Sequence, residues 1–162
     1  MAETLNINNL ELADDSFKNI AADGDYRFKV VSHELSYYSG NSTKIPPNTQ
    51  QIICHLEIPV MEDGELVVVS CRNTLNVYAK ALFAIRNFTN CIGLSSETGK
   101  TNIDLEKMDG LTGIGFFKLV ESGGKDYTNL DTPYAPSKAP TVALNDEAWQ
   151  KYNSEDVPFL TD

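Results

Sequence analysis

The apolar residues of this chain recur with one period, then with another, and then with the first again. Over residues 26–30, Tyr26, Phe28 and Val30 alternate with Arg27 and Lys29, which is the two-residue repeat of a half-buried strand. The same alternation recurs at about 50–58, with Ile52, Cys54, Leu56 and Ile58 on one face, and from Leu66 to about Leu75, with Val67, Val69 and Cys71 on one face. Glu62-Asp63-Gly64-Glu65 joins these two strands as a hairpin, because Asp-Gly readily adopts positive φ. The repeat then lengthens. Tyr78, Ala81, Leu82, Ile85, Phe88 and Ile92 fall on one helical stripe, with Asn76 placed to cap its start and Gly93 its end. The short period returns in Gly113–Val120, whose glycines predict a bulge or tight bend. Gly123-Gly124 then turns the chain into a weaker fifth strand at about Asp126–Leu130. Residues 94–110 read as a polar connection with a short extended piece around Ile103-Asp104-Leu105.

The predicted fold is therefore mainly β, a barrel with one helix in the order β-β-β-α-β-β. That is the order of the OB-fold, although SH3-like barrels and other small α+β domains give similar strings. Residues 1–21 are expected to form an N-terminal arm, 22–135 the OB-fold domain, and 136–162 a flexible acidic tail entered through Pro133, Pro136 and Pro140. No apolar run approaches the length of a membrane span. Met1-Ala2-Glu3-Thr4 has neither the basic start nor the apolar stretch of a secretion signal. Cys54, Cys71 and Cys91 form no CxxC pair, and an odd number fits no disulfide framework. A reduced cytoplasmic protein is expected.

The net charge of −10 argues at first against nucleic acid, whose backbone is bound by Lys and Arg. The charge is unevenly spread. Residues 1–16 carry −4 and residues 141–162 carry −4, while residues 17–140 hold 12 basic and 14 acidic side chains. The predicted barrel is nearly neutral.

Several catalytic constellations fail on spacing. Gly93–Thr101 resembles a phosphate-binding loop, but five residues separate Gly93 from Gly99 and a helix precedes it, where a P-loop follows a strand. Cys54 and His55 are adjacent on a strand and point to opposite faces, so they do not share a metal. His33 and His55 are the only histidines, and no nucleophile elbow accompanies them. No enzymatic activity, cofactor or metal is expected. A binding surface remains, since sequence-tolerant binding of a single strand needs cations along its path and rings for bases to stack on. Candidates are Arg27 and Lys29 on the first strand, Tyr37, Tyr38 and Lys44 entering the next loop, then Arg72, Lys118, Lys125 and Tyr127. Tyr26, Phe28, Phe116 and Phe117 are assigned to the core. Near the C-terminus, Glu155, Asp156, Val157, Pro158 and Phe159 form a short acidic-aromatic peptide suited to a basic-rimmed apolar pocket.

Two segments carry a family resemblance. Asp23-Gly24-Asp25-Tyr26-Arg27-Phe28-Lys29-Val30, followed by Tyr38-Ser39-Gly40-Asn41 and Lys44-Ile45-Pro46-Pro47, resembles the opening of bacteriophage single-stranded-DNA-binding proteins. The pattern Phe88-x-x-x-Ile92-Gly93 is similar to the end of that family's helix. The chain departs from the family at Asp109–Gly113, where a more basic, tryptophan-containing stretch is expected; its tryptophan is Trp149. Glu155–Phe159 resembles the acidic tip of bacterial single-stranded-DNA-binding proteins, which recruits replication and repair enzymes, though here Leu160-Thr161-Asp162 follow the phenylalanine. The resemblance implies a sequence-nonspecific single-stranded-DNA-binding protein of replication or recombination, acting in a bacterial host cytoplasm and contacting replication or recombination proteins through its tail. Oligomeric state is left open, homo-oligomers included. The rival readings are an acidic protein that mimics nucleic acid or otherwise binds proteins, and a carbohydrate- or peptide-binding barrel.

Overall fold

The computed structural model describes residues 18–94 and 103–161. Five strands form one antiparallel sheet: β1 (Gly24–Tyr37), β2 (Gln50–Glu62), β3 (Glu65–Val77), β4 (Thr112–Ser122) and β5 (Lys125–Pro133). Their spatial order is β3-β2-β1-β4-β5. Helix α1 (Leu82–Cys91) lies between β3 and β4 in sequence, and helix α2 (Asp146–Thr161) follows β5. The sheet curls far enough for its two outermost strands to meet, and the Cys71 thiol of β3 lies 3.3 Å from the Thr128 carbonyl of β5.

The alternation predicted from sequence appears directly in burial. Tyr26, Phe28 and Val30 of β1 face the core with Ile52, Cys54, Leu56 and Ile58 of β2 and Val69, Cys71 and Leu75 of β3. Phe28 stacks on Phe88 of α1 at 6.1 Å and meets Phe117 edge-on at 5.7 Å. Both two-residue hairpins use positive φ at both turn positions, Asp63 (53°) with Gly64 (81°) and Gly123 (61°) with Gly124 (82°). Helix α1 ends as predicted: Gly93 has φ 78°, its N–H reaches the Asn90 carbonyl at 3.0 Å, and the Leu94 N–H reaches Thr89 at 2.8 Å. These two bonds satisfy carbonyls that the last turn would otherwise leave unpaired.

Gly113 and Gly115 sit opposite Phe28 and Tyr26 on β1. A Cβ on Gly113 would lie 2.8 Å from the Cys91 sulfur and 3.0 Å from the Phe28 ring, so only glycine lets α1 pack this close to β4. The bulge expected near these glycines falls at Phe116/Phe117, where the extra residue is Asp131 on β5.

Several expectations are corrected. The helical stripe does not begin at Tyr78. Strand β3 runs to Val77, a 3-10 turn covers Ala79–Ala81, and Asn76 accepts from the Gln51 side chain at 2.8 Å without capping a helix. Residues 105–107 form a 3-10 turn where an extended piece was expected. Phe116 faces outward, under the Lys118 ammonium at 5.9 Å, because Phe117 beside it takes the core position. Within the predicted arm, Ile20 is buried and its N–H bonds to Thr128 Oγ1 at 3.2 Å. The predicted tail is likewise part of the folded unit as far as Tyr152: Ala143, Asn145 and Ala148 are buried, and Tyr152 donates to Glu57 at 2.6 Å.

Candidate nucleic-acid interface

The loop between β1 and β2 is held by its own side chains. Tyr38 N–H bonds to the Thr49 carbonyl at 2.7 Å and closes its base. Thr49 is buried, and its hydroxyl donates to the Pro46 carbonyl at 2.7 Å. The Tyr38 ring folds over Gly40, where a Cβ would collide with the phenol, and its hydroxyl accepts from Ser42 N–H at 2.8 Å. Tyr38 is thus a staple of the loop, and the loop in turn presents an exposed Lys44. Tyr37 lies at the end of β1, in a cross-strand row with Gln50 and Val77, and is 66% exposed. Residues 78–80 leave the sheet beside this row. Together with residues 42–47 they line a cleft of about 610 Å³ that includes Lys44, Tyr78 and Lys80. Tyr78 and Lys80 were missed in the sequence because Tyr78 fits the spacing of the helical stripe. The signal for them was a ring and a cation within three residues of a strand end.

The outer face of β1–β2–β3 divides into two parts. Near the β2–β3 hairpin it is covered by the C-terminal segment. Arg27 bonds through Nε to Asp146 at 2.5 Å and through Nη2 to the Thr141 carbonyl at 3.2 Å. The Arg27 guanidinium and the Ala143 N–H hold the Asp146 carboxyl below its ordinary pKa. The Lys29 ammonium sits 5.8 Å from the centre of the Tyr152 ring. Arg27 and Lys29, read from sequence as cations for a ligand, are therefore engaged by the protein's own C-terminal segment. Toward the β1–β2 loop, the remaining part of the face is left open by the described residues. There His55 pairs across the strands with Arg72, and Ile53 with Thr74. His55 Nε2 lies 3.4 Å from Glu34. Arg72 is exposed beside a cleft of about 260 Å³ that includes Val31, His55 and Glu57.

The other candidates stand elsewhere. Lys118 is on the outer side of β4, 3.7 Å from Asp131. Tyr127 pairs with Val120 across β4–β5, both partly exposed, and Lys125 starts β5. Because β4 runs antiparallel to β1, the Lys125 hairpin is at the opposite end of the sheet from Tyr37 and Lys44. The structure thus holds Tyr38 and Lys44 in one stapled loop, with Tyr37 at the strand end below it, and places Arg72 beside His55 on the open face. Lys118, Lys125 and Tyr127 form a separate wall. The side chains of Glu155, Asp156, Val157, Pro158 and Phe159 lie outside the described residues.

The three thiols offer no reactive group. Burial pushes Cys54 up to about 12 and Cys71 and Cys91 up to about 11. Among the described residues, no three His, Cys, Asp or Glu side chains converge as metal ligands, and no helix is long and apolar enough to cross a membrane. Compared with known protein families and with curated proteins, the chain matches none.

Proposed function

We propose that this chain is an OB-type barrel that coats single-stranded DNA in replication or recombination, without sequence preference and without catalysis. The observation that carries the proposal is the strand order β3-β2-β1-β4-β5, with β3 against β5 and a helix between β3 and β4. That connectivity is the one expected of an OB-fold, whose second and third strands, with the loops joining strands one to two and four to five, bind oligonucleotides. Here the open part of the β2–β3 face carries Arg72, and the two loops carry Lys44 and Lys125 from opposite ends. The near-neutral balance of residues 17–140 and the resemblance to phage single-stranded-DNA-binding proteins support the same reading. In this reading the peptide Glu155–Phe159 recruits replication or recombination proteins in the host cytoplasm.

Titration of labelled oligo-dT by fluorescence anisotropy at rising salt tests the proposal. Affinity that falls steeply with salt is the expected result. Undetectable binding at low salt overturns it. Phe159→Ala is expected to leave oligo-dT affinity unchanged while weakening capture of a replication or repair protein. A sharp loss of DNA affinity in that variant would place the tip in the DNA site.

A further inference from the structure

The outward row of β3 continues past the end of the strand. Tyr78 keeps an extended backbone (φ −155°, ψ 165°), so the alternation that points Arg72, Thr74 and Asn76 outward carries Tyr78 to the same face. At strand spacing, Arg72 and Tyr78 stand roughly 20 Å apart along this line. The line ends at the cleft between the β1–β2 loop and residues 78–80.

This cleft differs from its neighbours in charge. Among the described residues, the charged side chains that line it are Lys44 and Lys80. The cleft beneath Leu144 includes Glu62 and Glu147, that beside Phe83 includes Asp131, and that beside Arg72 includes Glu57. In a chain of net charge −10, a cleft whose described charges are both positive favours an anion. The two lysines come from separate segments, one from the stapled loop and one from the 3-10 turn, with Tyr78 and Pro46 also lining the cleft. At about 610 Å³ it is more than twice the volume of the cleft beside Arg72, at about 260 Å³. Its size is that of a small-ligand site.

We propose that this cleft holds one nucleotide of the bound strand, with its phosphate between Lys44 and Lys80 and its base stacked on Tyr78. The strand reaches it along the open face past Arg72. The assignment rests on the proposal that the protein binds single-stranded DNA, and it names where the strand is gripped.

The test is oligo-dT anisotropy on the full chain, comparing wild type, the double variant Lys44→Ala/Lys80→Ala, Tyr78→Ala and Tyr78→Phe. Losing one phosphate contact lowers the slope of log affinity against log salt by about 0.7, and that is the loss expected of the double variant, whose two lysines flank a single phosphate. Tyr78→Ala is expected to weaken binding by roughly 5- to 150-fold, the range that one stacked base contributes, with Tyr78→Phe close to wild type. Circular dichroism and urea unfolding confirm that the variants are folded; a Tyr78→Ala chain that is not leaves the lysine variant to decide. Wild-type binding with an unchanged slope in the double variant overturns the cleft assignment alone. Absence of wild-type binding overturns the functional proposal and this one with it.

Discussion

The Asn145 side chain is bonded to the backbone of Arg27 in both directions. Its Oδ1 accepts from the Arg27 N–H at 2.8 Å, and its Nδ2 donates to the Arg27 carbonyl at 2.9 Å. The Nδ2 group also donates to the Pro59 carbonyl at 2.8 Å. The reason lies in β2. Pro59 has no N–H to donate, and the pairing of β1 with β2 stops at Lys29 and Glu57. The carboxamide does there what a neighbouring strand would do, satisfying the part-buried backbone N–H and carbonyl of Arg27 and the buried carbonyl of Pro59.

Asn145→Ala is accordingly expected to lower stability by about 2–4 kcal/mol, since it strands one buried and two part-buried backbone groups at about 1–3 kcal/mol each before water relieves part of the loss. Asn145→Asp should cost at least as much at neutral pH, because a carboxylate cannot donate to the two carbonyls. Urea unfolding followed by tryptophan fluorescence measures both. A loss below about 0.5 kcal/mol in the alanine variant would mean that the carboxamide is not what joins the strands.

The cysteines give a second prediction. All three thiols are buried, and their raised pKa values leave little thiolate at pH 8. In the folded protein a disulfide reagent at pH 8 should label none of them on the timescale of minutes. In denaturant it should label three. Rapid labelling of Cys71 without denaturant would show that β3 and β5, joined at Cys71 and Thr128, separate readily.

Gly113→Ala tests the packing of α1 on the sheet. The added methyl would press on the Cys91 sulfur, the Phe28 ring and the Cys91 carbonyl, the last at 3.2 Å. The ring and the sulfur are themselves held by the core, so strain of about 1–3 kcal/mol is expected, read as a lower urea midpoint. An unchanged midpoint would show that the end of α1 can move away from β4.

These cases separate what local sequence specifies from what it does not. Tyr26, Phe28 and Val30 announce a strand because the two-residue repeat is a property of neighbouring residues. Asp63-Gly64 and Gly93 announce a turn and a helix end because positive φ is a local demand. Asn145 announces nothing. It sits among prolines and acids, and its partners are Arg27 and Pro59, 118 and 86 residues away. The same holds for Arg27 and Lys29, whose charge is visible in the sequence while their engagement by Asp146 and Tyr152 is set by tertiary packing. Tyr78 misleads because a ring three and four residues before Ala81 and Leu82 satisfies a helical spacing. Its extended backbone is imposed by β3, which holds Asn76 through Gln51. Parity does reveal Phe116: two adjacent rings on a strand cannot both face one core, and the glycines at 113 and 115 share the register of Phe117.

The Arg27–Asp146 pair makes stability depend on pH in a defined sense. Because Arg27 and the Ala143 N–H hold the folded carboxyl below its ordinary value, the folded state binds a proton less readily than the unfolded chain. The pair's stabilisation is fully present above the unfolded carboxylate pKa of about 3.9 and is lost as pH falls through the lower folded value. The pair is about one-third exposed, so its contribution is expected to be that of a screened ion pair, on the order of 1 kcal/mol. Asp146→Asn should therefore lie below wild type by a constant amount from pH 8 to pH 5, with the gap narrowing below about pH 4. Arg27→Gln should show the same pH dependence and leave oligo-dT affinity within about twofold, since Arg27 is already engaged by α2. Urea midpoints across this pH range, together with anisotropy at neutral pH, measure both. A gap that persists unchanged into acid would mean that the carboxylate's charge is not what holds α2 to β1, and a tenfold loss of DNA affinity in Arg27→Gln would return that arginine to the binding face.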